Sequence, residues 1–536
     1  MVWRQAGGLR WRLAAYLAVA SVLLLAASST TVEAWGHQPA PKPTPTSTPI
    51  KHLVVLFQEN VSFDHYFGTY PNATNTDGTP FHAQPNTPKV NGLTPALLND
   101  NPNEYNPQRL SPSEALTCDQ NHNYTPEQQA FDGGKMDQFV QDTAHDTCTG
   151  QPILYGAPGL VMDYYDGNTV TAEWNYAQHY AMSDAAYDTE FGPSTPSALD
   201  LISGDTSGAS AVDPNTGKVV SDPSTVAAVN SNGIGTDIGD ADPYYDQCSD
   251  SNHTTDSPTL KMTGKNVGNL LNQRGVTWGW FQGGFAPTGT SNGVAQCNSE
   301  HENVGGQEAL DYSPHHNPFE FYQSTANPKH LAPSSESMIG RSDQANHEYD
   351  LSDFYTSLKD GNMPSVSFLK APEYQDGHAG YSDPLDEQTY LVNTINAIEQ
   401  SKFWSSTAIV ITYDDSDGWY DQMQSPIVNG SHDATNDVAS ECGTKPAAGG
   451  VQDRCGYGPR LPFLVISPYS RTNFVGSWTV AQTSITKFIE ENWFTGRIGG
   501  VSYDASSGSM LGFFDFARPH FNTVLLNPKT GAVVRS

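Results

Sequence analysis

Short apolar runs rich in β-branched residues constrain the fold of this chain more than any other feature. They lie at 50–57 (IKHLVVLF), 407–413 (TAIVITY) and 462–467 (PFLVIS), with further candidates at 276–281 and 365–369. Runs of this length and composition are typical of strands that are buried on both faces of a parallel sheet. Helices must then cover both faces of that sheet.

Three segments that alternate with these runs have the apolar spacing of helices. Their apolar positions are Val267, Leu270 and Leu271; Leu391, Ile395 and Ile398; and Ala481, Ile485, Phe488 and Ile489. Strand, helix and strand in alternation predict an α/β fold with a mostly parallel central sheet between two helical layers. Segments 72–115 and 203–262 are rich in turn-forming residues, and we expect them to be long loop insertions.

The N-terminus has the pattern of a secretory signal peptide, with three arginines before an apolar stretch at 13–27 and a cleavage site after Ala34. An uncleaved membrane anchor is the alternative. Residues 35–49 are predicted to be a Pro/Thr-rich linker, and 50–536 a single catalytic domain. The chain is therefore expected to be secreted or periplasmic, without stable insertion in a membrane.

Six cysteines are consistent with disulfides in an exported chain. Pairing of sequence neighbours (118–148, 248–297 and 442–455) is our hypothesis, although six cysteines allow 15 connectivities. The formal net charge is −32. Such a surface repels nucleic acid, so no nucleic-acid partner is expected. An anionic substrate would need positive charge from a metal or from histidines.

Oxygen-bearing side chains follow two of the predicted strands directly. Glu59 and Asn60 follow the strand at 50–57, and Asp414 and Asp415 follow the strand at 407–413. Ligands of open α/β sheets bind at the carboxyl ends of strands, and oxygen ligands suit hard or borderline divalent cations. Each pair alone is better explained as turn or capping residues, but both pairs together favour a metal site.

Further candidates for chemistry lie in turns and loops. The segment EFGPSTPSALDLISG (190–204) places Ser194 and Thr195 on a tight turn before a possible helix, where a hydroxyl could be a nucleophile or only a helix cap. Four histidines lie in loops beside aromatic residues, where they could bind phosphate or donate a proton: His122, His315, His316 and His378.

Six ordered motifs resemble the bacterial phosphoesterase family, which contains non-specific phospholipases C and secreted acid phosphatases. They are QENVSFDHYFG, GGKMDQFV, GPSTPS, PHHNPF, YDDSDGWYD and GPRLPFLVISPYS, and the resemblance covers about residues 50–495. It implies an alkaline-phosphatase-like three-layer α/β/α sandwich. It also implies one divalent metal (Ca, Mg, Mn, Fe or Zn) bound by Glu59, Asn60, Ser194, Asp414 and Asp415.

The resemblance assigns the catalytic positions too. Ser194 falls at the nucleophile position, two residues before the family proline, although the local sequence does not choose between Ser194 and Thr195. The same four histidines match the phosphate-binding and acid–base histidines of the acid phosphatase branch. The chain departs from the phospholipases at Val61, at Ser197–Ala198 and at Gln422, where they carry Arg, Asn-Arg and His.

We therefore expect a broad-specificity acid phosphatase that acts through a phosphoserine. The alternative is a phospholipase C that cleaves phosphatidylcholine-type lipids, so the expected partners are small phosphate monoesters or phospholipid head groups. A catalytically inactive binding protein of the same fold is a third hypothesis, which the full set of candidate residues disfavours. Asp64 and His65 are expected to orient the metal ligands or the start of a helix capped by Ser62. The metal identity, the oligomeric state and the identity of the general acid stay open.

Overall fold

The computed structural model describes residues 44–148, 153–249 and 257–536. Residues from Thr44 to the C-terminus belong to one compact unit. The predicted signal peptide and linker residues 35–43 lie outside the described residues. Residues 47 and 48 of the expected linker are held in place, because both contact Asn492: Ser47 N–H donates to its carbonyl oxygen at 2.9 Å and Thr48 Oγ1 to its side chain at 2.8 Å.

An eight-stranded sheet forms the centre of the unit. Its strands, labelled in chain order, are β1 His52–Gln58, β2 Ala181–Ser183, β3 Trp278–Gln282, β4 Glu348–Asp350, β5 Val366–Lys370, β6 Thr407–Tyr413, β7 Phe463–Ile466 and β8 Phe474–Gly476. All five strands expected from the sequence are present, whereas β2, β4 and β8 were missed. These three have only three residues each, too few for a periodic pattern.

The strand order is β4-β3-β5-β1-β6-β7-β2-β8. Strands β4, β3, β5, β1 and β6 pair in parallel, as do β2 and β8, while β7 runs antiparallel to both its neighbours. The prediction of a mostly parallel sheet is confirmed. The sequence predicted that 462–467 is another parallel strand, and this is wrong. β7 is buried on both faces as the parallel strands are, and burial alone does not determine the direction of a strand.

Ten α-helices accompany the sheet in the described residues. They are α1 Phe63–Phe67, α2 Pro95–Asn99, α3 Tyr124–Phe131, α4 Phe139–Asp142, α5 Thr171–His179, α6 Ser194–Ser203, α7 Val267–Arg274, α8 Leu351–Asp360, α9 Pro384–Glu399 and α10 Thr483–Trp493. The three helices expected from apolar spacing correspond to α7, α9 and α10. Ala481 is the exception, since it lies in the short strand Val480–Ala481 that precedes α10.

Alternate residues of β1 pack into two separate cores, one on each face of the sheet. Val54 and Leu56 contact the core that contains α5, α8 and α9. Leu53 and Val55 contact the core that contains α6, α7 and α10. The predicted three-layer α/β/α architecture is therefore confirmed.

The segment 203–262 is more ordered than the sequence predicts. It contributes four strands of a small antiparallel sheet: Ser207–Val212, Val226–Ala227, Gly235–Asp237 and Thr259–Met262. The loop expectation is correct only for the connections, because these strands are short and interrupted by Asn, Asp and Gly turns. The segment 72–115 is mainly irregular, with α2 as its α-helix.

All three hypothesised disulfides are present: Cys118–Cys148, Cys248–Cys297 and Cys442–Cys455. Among the described residues, no helix combines the length and apolar character needed to cross a bilayer.

Candidate active site

The site lies at the carboxyl ends of β1 and β6, which are adjacent and in register, with Gln58 opposite Tyr413. Glu59 and Asn60 follow β1, and Asp414 and Asp415 follow β6, so four polar side chains meet at one edge of the sheet. All four residues are buried. Asn60 has a positive φ of 56°, a conformation that Asn tolerates better than most residues, and its N–H donates to Asp414 Oδ1 at 2.8 Å.

Ser194 is the first residue of α6, and its hydroxyl points into this group. Its Oγ lies 3.0 Å from Asp415 Oδ2, 3.2 Å from Glu59 Oε2 and 3.3 Å from Asn60 Oδ1. One hydroxyl hydrogen can donate to only one of these three acceptors at a time. The neighbouring Thr195 does not join them: its N–H donates to Asp240 at 2.9 Å, and its buried hydroxyl has no hydrogen-bond partner.

The Asn60 amide lies among the oxygens of the site. Its oxygen lies 2.7 Å from Glu59 Oε2 and 3.1 Å from Asp414 Oδ1, and rotating the amide would replace these contacts by hydrogen bonds from its nitrogen. A divalent cation would satisfy the same oxygens without rotation, and an all-oxygen ligand set suits such an ion. The residues present therefore fit one hard or borderline divalent metal.

Electrostatics support this interpretation. Burial, and next the adjacent Asp414, raise the pKa of Asp415 well above its usual value, while His122 lowers it. Carboxylates crowded in this way resist ionisation unless positive charge is supplied. A bound cation would supply that charge.

Lys370, the last residue of β5, provides one positive charge that the sequence analysis missed. It is fully buried, and its Nζ donates to Glu59 Oε1. Burial lowers the pKa of Lys370 below its usual value, and Asp414, Asp376 and Asp415 offset this effect only in part. The sequence did contain a signal, because Lys370 directly follows the apolar run SVSFL. A charged residue at the end of a buried strand is rarely unpaired, so it indicates a buried partner of opposite charge.

Three of the four predicted histidines contact the ligand residues. His316 Nδ1 lies 3.4 Å from Glu59 Oε1. The Asn60 amide nitrogen lies 3.0 Å from His378 Nε2 and 3.4 Å from His122 Nε2. These histidines thus surround the amide and carboxylate side of the site.

His122 also contacts Asp417, with 3.1 Å between Nδ1 and Oδ1. His122, His378 and Asp417 form a compact group that could itself hold an ion. The hydrogen bond to Asp417 already explains how His122 is oriented. Asp417 belongs to the motif YDDSDGWYD, but its role as a partner of His122 depends on a contact across 295 positions and could not be read from spacing.

His315 is farther out. It packs edge-on against His316, with ring centroids 4.3 Å apart, and its Nδ1 lies 3.1 Å from Ser313 Oγ and 3.7 Å from Asp242. It lines a cavity of about 360 Å³ together with Asp240, Asp242, Tyr312 and Glu373. The structure does not bring His315 into contact with the ligand residues.

The four histidines divide into two electrostatic classes. Burial opposes protonation of all four. For His122, Asp415 and Asp417 outweigh burial and raise the pKa well above its usual value; for His315, Asp242 and Asp240 raise it to about 9. Burial and neighbouring histidines lower the pKa of His316 and of His378. These surroundings favour the protonated form of His122 and His315 and the neutral form of His316 and His378.

Asp64 and His65 lie behind the ligand residues. Ser62 caps α1 as expected, since its Oγ accepts a hydrogen bond from His65 N–H at 3.3 Å. Asp64 accepts from Arg460 at 3.0 Å and from Gln422 N–H at 3.0 Å. His65 stacks on Trp419, with centroids 4.0 Å apart. Both therefore fix α1 against the loop that follows Asp415.

Glu127, on α3, links the turn before Ser194 to the loop that carries Asp415. This residue was also not predicted from the sequence. One carboxylate oxygen accepts from Gly192 N–H at 3.1 Å, and the other accepts from Ser416 Oγ at 2.7 Å. Its sequence context, YTPEQQAF, is an ordinary helix start and gives no signal of this role.

A family model described as the Phosphoesterase family matches residues 50–495. Non-hemolytic phospholipase C of Burkholderia pseudomallei is 26% identical over 90% of this chain and 61% of its own length. Phospholipase C A of Mycobacterium tuberculosis is 24% identical over 94% of this chain and 84% of its own. The chain thus spans about three fifths of the Burkholderia protein.

Human ectonucleotide pyrophosphatase/phosphodiesterase 5 is a similar solved structure. It is 11% identical, with a TM-score of 0.28 over 63% of this chain and 95% of its own. A likeness at this level carries no functional inference.

Proposed function

The chain belongs to the phosphoesterase family, and on that basis we propose that it is a metal-dependent phosphoric ester hydrolase acting through a phosphoserine on Ser194. The observation that carries the proposal is the position of Ser194 Oγ, 3.0–3.3 Å from oxygens of Asp415, Glu59 and Asn60. A hydroxyl held among potential metal ligands is an activated nucleophile.

Glu59, Asn60, Ser194, Asp414 and Asp415 would hold the cation. When bound, the cation supplies positive charge that stabilises the Ser194 alkoxide and a phosphoryl oxygen. We propose only that the ion is a divalent metal, because several divalent metals bind oxygen ligands.

The chain's own groups carry the reaction in two displacements. Ser194 reacts as the alkoxide, its proton having passed to solvent: Oγ attacks phosphorus and forms the Oγ–P bond, while the bond from phosphorus to the leaving oxygen breaks. A protonated histidine gives its proton to that oxygen. A water molecule then attacks the phosphoserine, gives a proton to the same histidine, and Ser194 Oγ leaves.

His122 suits the role of proton donor better than His378 does, and His315 is a second candidate that lies farther out. Asp415 and Asp417 raise the pKa of His122, and Asp242 raises the pKa of His315 to about 9, so both favour the protonated form. The pKa of His378 is lowered by burial and by His122. His378 and His316 are suited to orienting the substrate or the ligand residues.

We propose phospholipids of the phosphatidylcholine type as the substrate, because the similar proteins from Burkholderia and Mycobacterium are named phospholipases C. This reverses the preference derived from the sequence, which rested on the departures at Val61 and Ser197–Ala198. The acid phosphatase alternative keeps one supporting observation, the raised pKa of His122 at the site and of His315 farther out.

Export is also part of the proposal. Three disulfides are typical of proteins that fold outside the cytosol. We propose that residues 1–34 are the cleaved signal peptide and that the hydrolase acts outside the cytoplasm on phospholipid head groups or small phosphate esters.

A substrate panel tests the proposal. The purified protein is assayed between pH 4 and 8 with p-nitrophenyl phosphate, p-nitrophenylphosphorylcholine and phosphatidylcholine vesicles, before and after dialysis against a chelator. We expect hydrolysis of the choline diesters, lost on chelation and restored by a divalent metal. Hydrolysis of the monoester alone would favour the acid phosphatase, and no hydrolysis of any ester would overturn the proposed function.

A further inference from the structure

Lys370 lies where it can set the charge of the site without touching substrate. It ends β5, the strand that pairs with β1 on the side opposite β6. We propose that Lys370 is a positioning residue that holds Glu59 in a one-oxygen orientation and weakens cation binding in favour of the anionic substrate. The inference rests on the proposed metal-dependent function and assigns a role within that same site.

The two oxygens of the Glu59 carboxylate have different partners. Oε1 accepts from Lys370 Nζ and lies 3.4 Å from His316 Nδ1. Oε2 lies 3.2 Å from Ser194 Oγ and 2.7 Å from the Asn60 amide oxygen. Only Oε2 faces the ligand group, so Lys370 leaves Glu59 one oxygen to offer a cation.

The surroundings of Lys370 leave it little freedom. The side chain is fully buried, and its Nζ lies 4.9 Å from the centroid of the Phe57 ring. Its hydrogen-bond partner is Glu59. A lysine held between a strand and an aromatic ring cannot swing out to meet substrate, so its effect passes through Glu59.

Charge balance gives this arrangement a function. Glu59, Asp414 and Asp415 are three buried acidic residues, and Lys370 contacts one of them, Glu59. A divalent cation together with Lys370 would offset all three carboxylates when they are ionised, so an incoming phosphoryl group would meet no net repulsion from them. Without Lys370 the ligand group would attract the cation more strongly but would repel the substrate.

The proposal therefore predicts opposite changes in two affinities. A neutral residue at position 370 should tighten binding of the cation and weaken binding of an anion at the same site. Loss of a residue needed only for folding would weaken both. The opposite signs separate a charge-setting role from a structural one.

The experiment uses the full-length chain after removal of metal by chelator. Mn²⁺ is titrated into wild type, Lys370→Met, Lys370→Gln and Lys370→Arg by calorimetry, and inhibition by inorganic phosphate is measured on the Mn²⁺-loaded proteins. Lys370→Gln keeps a hydrogen-bond donor without the charge, and Lys370→Arg keeps the charge. Lys402→Met is the matched control, because Lys402 is exposed and outside the site.

We expect Lys370→Met and Lys370→Gln to lower the Kd for Mn²⁺ about tenfold and to raise the Ki for phosphate by a similar factor. Lys370→Arg and Lys402→Met should resemble wild type in both constants. An unchanged or higher Kd for Mn²⁺ in folded Lys370→Gln overturns the inference. If wild type binds no metal, the proposed function fails; if wild type binds metal and Lys370→Gln does not alter its affinity, only the role of Lys370 fails.

Discussion

Arg460 is predicted to be the most costly single charge to remove near the site. It is fully buried, and its guanidinium donates to Asp421 at 3.0 Å, to Asp64 at 3.0 Å and to the carbonyl oxygens of Asn91 and Asp184 at 2.6 and 3.0 Å. It also lies 4.2 Å from the centroid of the Phe63 ring. Arg460 thus ties α1, which follows the ligands of β1, to the loop that follows the ligands of β6.

Replacing Arg460 by Met keeps much of the side-chain volume and leaves Asp64 and Asp421 buried without their counter-charge. Removing one partner of a buried ion pair costs about 3–5 kcal/mol. For a folded unit of this size, the unfolding entropy is about 1 kcal/mol per kelvin. The expected fall in Tm is therefore about 3–5 °C.

The assay is thermal unfolding of wild type and Arg460→Met, followed by intrinsic fluorescence at fixed pH and metal concentration. Arg497→Met is the matched control, because the Arg497 side chain is 35% exposed and pairs with Glu490 and Glu491 near the surface. Such pairs contribute about 0–1 kcal/mol, so its Tm should fall by about 1 °C or less. A Tm for Arg460→Met within about 1 °C of wild type would refute this assignment.

Three further outcomes are expected. Ser194→Ala should lower kcat by at least about 10³-fold, and Thr195→Ala should lower it far less. Acid quench with labelled ester should place the phosphate on Ser194. Label on Thr195 would show that Thr195, and not Ser194, is the nucleophile. Burial raises the pKa of Glu399 from 4.5 to about 7, so its contribution to stability is complete below pH 4.5 and lost as the pH rises through 7. Tm should fall between pH 5 and pH 8, and Glu399→Gln should reduce that slope; an identical slope would contradict the attribution. With the His315 pKa at about 9, kcat/KM should fall as the pH rises through 9, and His315→Gln should remove that fall if His315 is the acid.

Local sequence patterns were sufficient for the centre of the fold. Runs such as 50–57 and 407–413 are apolar and β-branched along almost their whole length, so β1 and β6 could be predicted together with the residues that follow them. The direction of β7 could not, because antiparallel pairing with β6 depends on where the chain re-enters the sheet. The small sheet within 203–262 was missed for a related reason. Its strands are stabilised by pairing with one another, and their composition does not distinguish them from loops.

The site divides in the same way. Glu59 and Asp415 could be proposed from strand ends, whereas Ser194 needed the family motif to be preferred over Thr195. Lys370 and Glu127 act through contacts between segments far apart in the chain, and no local pattern marks such contacts. Sequence reasoning therefore predicted the proposed cation ligands and, behind them, Asp64 and His65, but it missed Lys370 and Glu127.

The central claim is that one divalent cation binds between Ser194 and the ends of β1 and β6. The most direct test is a crystal of the purified protein soaked in Mn²⁺, with diffraction data collected at the manganese absorption edge. We expect one strong anomalous peak within about 2.0–2.6 Å of oxygens from Glu59, Asn60, Ser194, Asp414 and Asp415. No peak at that position, or a single peak among His122, His378 and Asp417, would contradict it.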